Sequence, residues 1–245
     1  MKKIITAMLV ASMILAFAAC GNNVDETTTA ATTTAETTTA ETTTAENTTA
    51  ETTTEETTAA PIVAAEDAKT VLSNVYGNFL DKLAPLFGAS SGEELKGYFV
   101  SAEMEEITEV DPETGEEYTY PMPVSGPGAL SLEDTDNLAY YTLFPAESVS
   151  KLNSAACFFN MMNMNNGTVA AFEVKDAGDV TALADTMKEK ITTNMWMCGF
   201  PERYLIVNVN GTLISAFGNA DTINSLKDGV LATYADAAVL YDAAL

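Results

Sequence analysis

The 245-residue chain contains no histidine. That one absence removes Ser-His-Asp and Cys-His hydrolase chemistry, imidazole-ligated zinc and histidine acid–base catalysis together. Cysteine is nearly absent: Cys20, Cys157 and Cys198 are the only three. Two of them cannot complete a structural zinc site if the third is committed elsewhere. Basic side chains are scarce, with 11 Lys and Arg against 35 Asp and Glu and a net charge of -24 at pH 7. So acidic a chain repels phosphate backbones, which sets nucleic acid aside as a partner. Beyond residue 19, no uninterrupted apolar run approaches the roughly 20 residues a bilayer span needs.

What is present starts with an address. Lys2 and Lys3 precede an uncharged apolar run over residues 4–19, the length of an export-signal core. Ala18 and Ala19 then stand before Cys20, with Gly21 after it. The stretch resembles the lipobox of bacterial lipoproteins, with Phe17 where that motif usually has leucine. The resemblance implies a signal peptide over residues 1–19 and cleavage before Cys20, whose sulfur carries a diacylglyceryl group. Two acyl chains suffice as a stable anchor where one binds only reversibly. The membrane is then a partner through the lipid on Cys20, and the chain is expected on the extracellular face of the cell membrane. Free secretion with an unmodified Cys20 is the alternative.

Residues 20–60 are nearly all Thr, Ala and Glu, in a five-residue period such as "ETTTAETTTAE". Such a segment cannot bury enough apolar surface to offset roughly 1–2 kcal/mol of backbone ordering per residue. A disordered spacer is expected, extended by the self-repulsion of its regularly placed glutamates. Its reach is on the order of 100 Å when stretched.

Composition changes abruptly at Pro61-Ile62-Val63, and residues 61–245 make one extracytoplasmic domain large enough for a real core. Setting aside Lys2, Lys3 and the eight acids of residues 20–60 leaves 9 basic and 27 acidic side chains, a domain charge of -18. Val71, Val75, Phe79 and Leu83 recur at helical spacing over residues 65–83, and Pro85 ends that helix. Residues 103–128 read as an acidic hairpin insertion, turning at Asp111-Pro112-Glu113-Thr114-Gly115. The last ninety or so residues place an Asn-Gly-Thr turn at Asn166 and again at Asn210, each followed by an amphipathic helix, with Asp179 and Asp221 as N-caps. A two-residue Asn210-Gly211 turn sets Val209 opposite Thr212, Val207 opposite Ile214 and Leu205 opposite Ala216 on one face, with Asn208 and Ser215 on the other, as in a half-buried sheet. The predicted fold is α+β: an antiparallel, four-stranded sheet in ββα-ββα order, helices on one face, plus the N-terminal helix and the acidic hairpin.

Four motifs bear on chemistry. Cys157 and Cys198 are candidates for a disulfide in an exported protein, or for two reduced thiols. Ser148-Val149-Ser150-Lys151 spells the Ser-x-x-Lys of penicillin-recognising enzymes, without the accompanying Ser-Asp-Asn or Lys-Thr-Gly, and reads as a chance match. Glu103, Glu105, Glu109, Asp111 and Glu113 offer oxygen ligands for Ca²⁺ but lack the ordered spacing of an EF-hand loop, so a solvated charged face is the plainer reading. Met161, Met162, Met164 and Trp196, with Met195, Met197, Phe158 and Phe159, form an adaptable apolar set that reads either as core or as a binding face. Exposure is the discriminator.

From about residue 64 onward the chain resembles an uncharacterised domain family of Gram-positive bacterial lipoproteins. The resemblance is carried by "LFPAESVSKL", "NMMNMNNGTVAAFEVKD" and "GFPERYLIVNVNGTLISAFG", in particular Lys175-Asp176, Phe200-Pro201 and Asn210-Gly211. The acidic hairpin looks like an insertion relative to that family. The resemblance brings an address and a fold and no activity. The resulting expectation is a surface lipoprotein with no resident cofactor, whose domain binds an envelope protein or peptide without catalysis. The alternative is an envelope hydrolase using carboxylates, assisted by Ca²⁺.

Overall fold

The computed structural model describes residues 66–245. The signal segment, Cys20 and the spacer lie outside the described residues.

Helix α1 (Ala68–Leu83) opens where the Asp67 carboxylate accepts a hydrogen bond from Thr70 N, at 3.0 Å, so that Asp67 is its N-cap. Its stripe of Val71, Leu72, Val75, Phe79, Leu80 and Leu83 is buried. A 3₁₀ turn containing Pro85 follows, and a second over Gly92–Tyr98 leads into strand β1 (Phe99–Val110). Strand β2 (Glu117–Ser125) returns antiparallel to it. Between them the Asp111 carboxylate accepts from Glu113 N and Thr114 N at 2.7 and 3.1 Å, which closes the turn and lowers its pKa. Pro121 and Pro123 pair with Glu106 and Met104 across this ladder.

The remaining elements are β3 (Gly128–Leu130), α2 (Thr135–Thr142), β4 (Leu152–Asn160), β5 (Gly167–Val174), α3 (Val180–Thr193), β6 (Arg203–Val209), β7 (Thr212–Gly218), α4 (Ala220–Thr233) and β8 (Ala238–Ala244). The fold is α+β, helices with one antiparallel sheet in the order β2-β1-β4-β5-β7-β6-β8, and β3 also pairs with β4. The tight turn at Asn210-Gly211 has φ of 51° and 94°, and Val209, Val207 and Leu205 face Thr212, Ile214 and Ala216.

The helices do not lie on one face, and this corrects the sequence expectation. Ala156, Phe158, Val169, Ala171, Leu205, Val207, Ile214 and Ala216 bury one sheet face beneath α1 and α4. The alternate residues Cys157, Ala170, Phe172, Ile206, Leu213 and Phe217 bury the other beneath α2 and α3. Asn208 and Ser215 mark this second face as polar, yet Tyr204, Ile206, Leu213 and Phe217 around them supply the apolar surface that two further helices cover. The sheet also has more strands than the four expected, because β1, β2 and β3 extend it beyond β4 and β8 extends it beyond β6.

Asp242 of β8 fixes that extra strand. Its carboxylate takes Arg203 Nη2 of β6 at 2.6 Å and Lys227 Nζ of α4 at 3.0 Å. Burial alone would raise its pKa, but the hydrogen bonds from Lys227 and Arg203 outweigh it and hold the carboxyl below its ordinary value.

The two expected N-caps differ: Asp179 holds the position without a capping hydrogen bond, and Asp221 does not hold it. Asp179 stands at the cap position of α3, but its carboxylate pairs with Lys151 Nζ at 2.8 Å, while Asp176 accepts from Gly178 N just upstream. Helix α4 starts at Ala220, whose N–H donates to the Glu202 carboxylate at 2.8 Å, and Asp221 lies inside the first turn.

Candidate binding surface

The acidic candidates do not converge. Glu103 is held by Lys69 Nζ at 2.9 Å and accepts from Ala129 N, and the Lys69 contact pulls its pKa down. Glu109 accepts from the hydroxyls of Tyr118 and Tyr120 at 2.7 and 2.8 Å, which also lowers its pKa. Asp111 closes its own turn, and Glu105 and Glu113 are exposed. Among the described residues no group of three His, Cys, Asp or Glu stands close enough to hold a metal ion. Of the Ca²⁺ candidates, Glu103, Glu109 and Asp111 are thus engaged in helix, hairpin and turn contacts, and Glu105 and Glu113 stand apart from them. A shallow cleft of about 180 Å³ lies between Glu103 and Asp134, and at its edge the Lys69 hydrogen bond outweighs burial and holds Glu103 below its ordinary pKa.

The Ser-x-x-Lys residues occupy a 3₁₀ turn, Ala146–Lys151, with the Lys151 amine bound to Asp179 rather than to a serine hydroxyl. Cys157 and Cys198 are both free thiols in this structure, the second of the two alternatives. Cys157 is buried in β4, where burial pushes its thiol up to about 12 and keeps it protonated. Cys198 lies in the exposed loop between α3 and β6.

The methionine set behaves differently. It splits between two loops at one end of the sheet: residues 161–166, joining β4 to β5, and residues 194–202, joining α3 to β6. Asn166-Gly167 is not the tight turn its sequence suggests. Gly167 has φ 175°, ordinary extended backbone, and the connection is six residues long. Asparagine side chains shape it instead. Asn160 Oδ1 accepts from Met162 N and Asn163 N at 3.0 and 3.1 Å, and Asn163 Oδ1 accepts from Asn165 N at 3.0 Å. Such local side-chain bonds compete with a regular hairpin turn.

The same asparagines pin the second loop. Asn163 Nδ2 donates to Cys198 O at 2.8 Å, and Asn165 Nδ2 donates to Met197 O and Gly199 O at 2.8 and 3.1 Å. The approach is so close that a Cβ on Gly199 would stand 2.6 Å from Asn163 Nδ2, and Gly199 also has φ 128°. Cys198 beside it is left-handed at φ 61°, a conformation that costs a non-glycine residue about 1–2 kcal/mol.

This tethering holds large apolar side chains in solvent. Met162 is 79% exposed, Met195 89%, Met197 76% and Phe200 76%, with Met161 and Tyr140 also exposed. Trp196 forms the floor: it is half-buried against Phe217, ring centroids 4.9 Å apart. Between Trp196, Met164, Met197, Leu143 and Tyr140 lies an open groove of about 200 Å³. The structure thus brings Met161, Met162 and Met164 together with the loop of Trp196, as exposed surface more than as core. Sequence reasoning missed Tyr140, Phe200 and the two tethering asparagines. The alternation of Asn with Met in "NMMNMNN" was the available signal for the asparagines.

Comparison of the chain with protein-family models, curated proteins and solved structures finds no match.

Proposed function

We propose that the chain is a lipid-anchored surface protein whose domain is a non-catalytic binding module of the cell envelope, with the methionine-rich end of the sheet as its contact face. The observation that carries this reading is the set of exposed Met and Phe side chains on two loops fixed by asparagine hydrogen bonds. Loops held in place before contact lose less conformational freedom on binding. Methionine adapts its shape to different apolar partners, and Trp196 and Phe200 supply aromatic anchors. The occupant that fits is an apolar segment of an envelope protein or peptide, with basic flanks drawn by a domain of charge -18.

Anchoring through Cys20 and the spacer belongs to the same proposal, with "AACG" and the Thr/Ala/Glu repeat as its support. So does kinship with the lipoprotein domain family. The succession β4-β5-α3 and β6-β7-α4 supports reading two similar ββα units, with the acidic hairpin as an insertion before them.

Two arms test the proposal. In fractionated cells the full chain is expected with membranes, and Cys20→Ala is expected to release it to the medium. Retention of that variant on the membrane would remove the lipid from the account. In the second arm the full chain is applied to an array of apolar peptides with acidic or basic flanks. Binding is expected to favour apolar peptides with basic flanks and to fall at least about tenfold when Met162→Asp and Phe200→Asp are combined. Peptide binding indifferent to that pair would place the contact face elsewhere.

A further inference from the structure

The docking reading uses the methionines only as apolar surface and leaves their sulfur unexplained. The two loops are chemically peculiar. Residues 160–166 read NMMNMNN and residues 194–200 read NMWMCGF, two stretches without a charged side chain in a domain of charge -18; Glu202, at the far end of the second loop, accepts from Ala220 N. No carboxylate occurs within either of these two stretches. Five of the chain's eleven methionines and its one exposed described cysteine are concentrated here instead.

Thioether and thiolate sulfur are soft donors and select soft monovalent ions such as Cu(I) over Ca²⁺ or Mg²⁺. A site made of them needs no histidine, which this chain does not have. Hydrogen bonds hold the two donor-bearing loops against each other. Asn163, between Met162 and Met164, is bonded directly to the carbonyl of Cys198, and Asn165, next to Met164, to that of Met197. Met161, Met162, Met195, Met197 and Cys198 are all exposed on these two loops, and each methionine has three rotatable bonds with which to converge on a ligand. Leaving a methionine exposed forfeits about 1.5–3 kcal/mol that burial would supply. Cys198 adds a strained backbone conformation of the kind concentrated at ligand clamps. The surrounding negative field raises the local concentration of any cation.

We propose that the seam between these two loops is a binding site for a soft monovalent metal ion of the Cu(I) type, with Cys198 Sγ and the thioethers of Met161, Met162, Met195 and Met197 as its ligand pool. On binding, the Cys198 S–H bond breaks, its proton passes to solvent and a sulfur–metal bond forms. The thioethers donate lone pairs without losing a proton. No electrons are exchanged and the ion stays monovalent.

The probe is Ag(I), soft, monovalent and not redox-active in chloride-free buffer, titrated into the full chain carrying Cys20→Ser. One ion per chain is expected. Replacing Met161, Met162, Met195 and Met197 together by leucine keeps the face apolar and removes its sulfur. That variant is expected to lose about 10–100-fold in affinity, and Cys198→Ser a comparable amount. Met104→Leu with Met122→Leu, at two exposed methionines on the β1–β2 hairpin, is expected to bind as the parent does. Circular dichroism verifies that each variant is folded. Failure of the parent to take up Ag(I) overturns the proposal. So does unchanged affinity in the leucine variant, since binding would then belong to a lone thiol. The leucine variant also separates this proposal from the docking reading, which expects it to retain apolar peptide binding.

Discussion

The tripeptide Asn-Gly-Thr occurs twice in this domain, at residues 166–168 and 210–212, and folds in two different ways. At the second, Asn210 and Gly211 both take positive φ and form a two-residue turn, with empty space around the missing Gly211 side chain. At the first, the asparagine ends a 3₁₀ turn and Gly167 opens a strand in extended conformation. Gly167 faces Gly218 across the β5–β7 ladder, and a Cβ on Gly218 would stand 2.5 Å from Asn166 O and 2.7 Å from Gly167 Cα. One glycine is there for its backbone freedom and the other pair for how closely two strands and a loop approach. Sequence identity over three residues does not reveal which.

The largest expected effect follows from that packing. Gly218→Ala forces backbone apart from backbone and is expected to destabilise the domain by about 3 kcal/mol in urea unfolding. Gly211→Ala meets no neighbour and is strained only by its φ, so the expected loss is about 1 kcal/mol. If Gly211→Ala proves the more damaging of the two, the contrast between the sites is wrong. Asn163→Ala removes the bond to Cys198 O from the loop that replaces a tight turn, at about 0.5–1.5 kcal/mol. Its clearer signature is faster hydrogen exchange in both residues 161–166 and 194–200, with the Asn210 turn unchanged. The mildest test leaves stability alone: in native Cys20→Ser chain, iodoacetamide is expected to alkylate Cys198 quickly and Cys157 only after unfolding. Equal rates would mean that β4 is not buried as described.

The same contrast explains what was legible beforehand. The register from Val209–Thr212 to Leu205–Ala216 follows from turn length alone, a local rule with no competitor. The first loop obeys a rule just as local, but one written in asparagine side chains three residues apart, and the Asn-Gly signal masked it. Alternation around Asn208 and Ser215 suggested a solvated face, because covering a sheet is a tertiary event that α2 and α3 perform from distant sequence. Strand β8 carries the Ala-rich stretch "AVLYDAA", which no periodicity marks, and its anchor at Asp242 depends on Arg203 and Lys227, 39 and 15 residues away. At the candidate surface the methionines were named in advance, while their exposure depended on loop tethers that only the fold reveals.

The prolines of β2 carry a consequence for crowding. Strand β2 closes one side of the sheet, and a sheet margin offers unpaired N–H and C=O groups to any strand that drifts alongside. Pro121 and Pro123 sit at alternate positions while the ladder to β1 is kept, so the nitrogens without hydrogen face outward. Two successive donors are thereby absent from the margin where a neighbouring molecule would begin to zip. At high protein density, that omission limits edge-to-edge fibre growth without any contribution to the core.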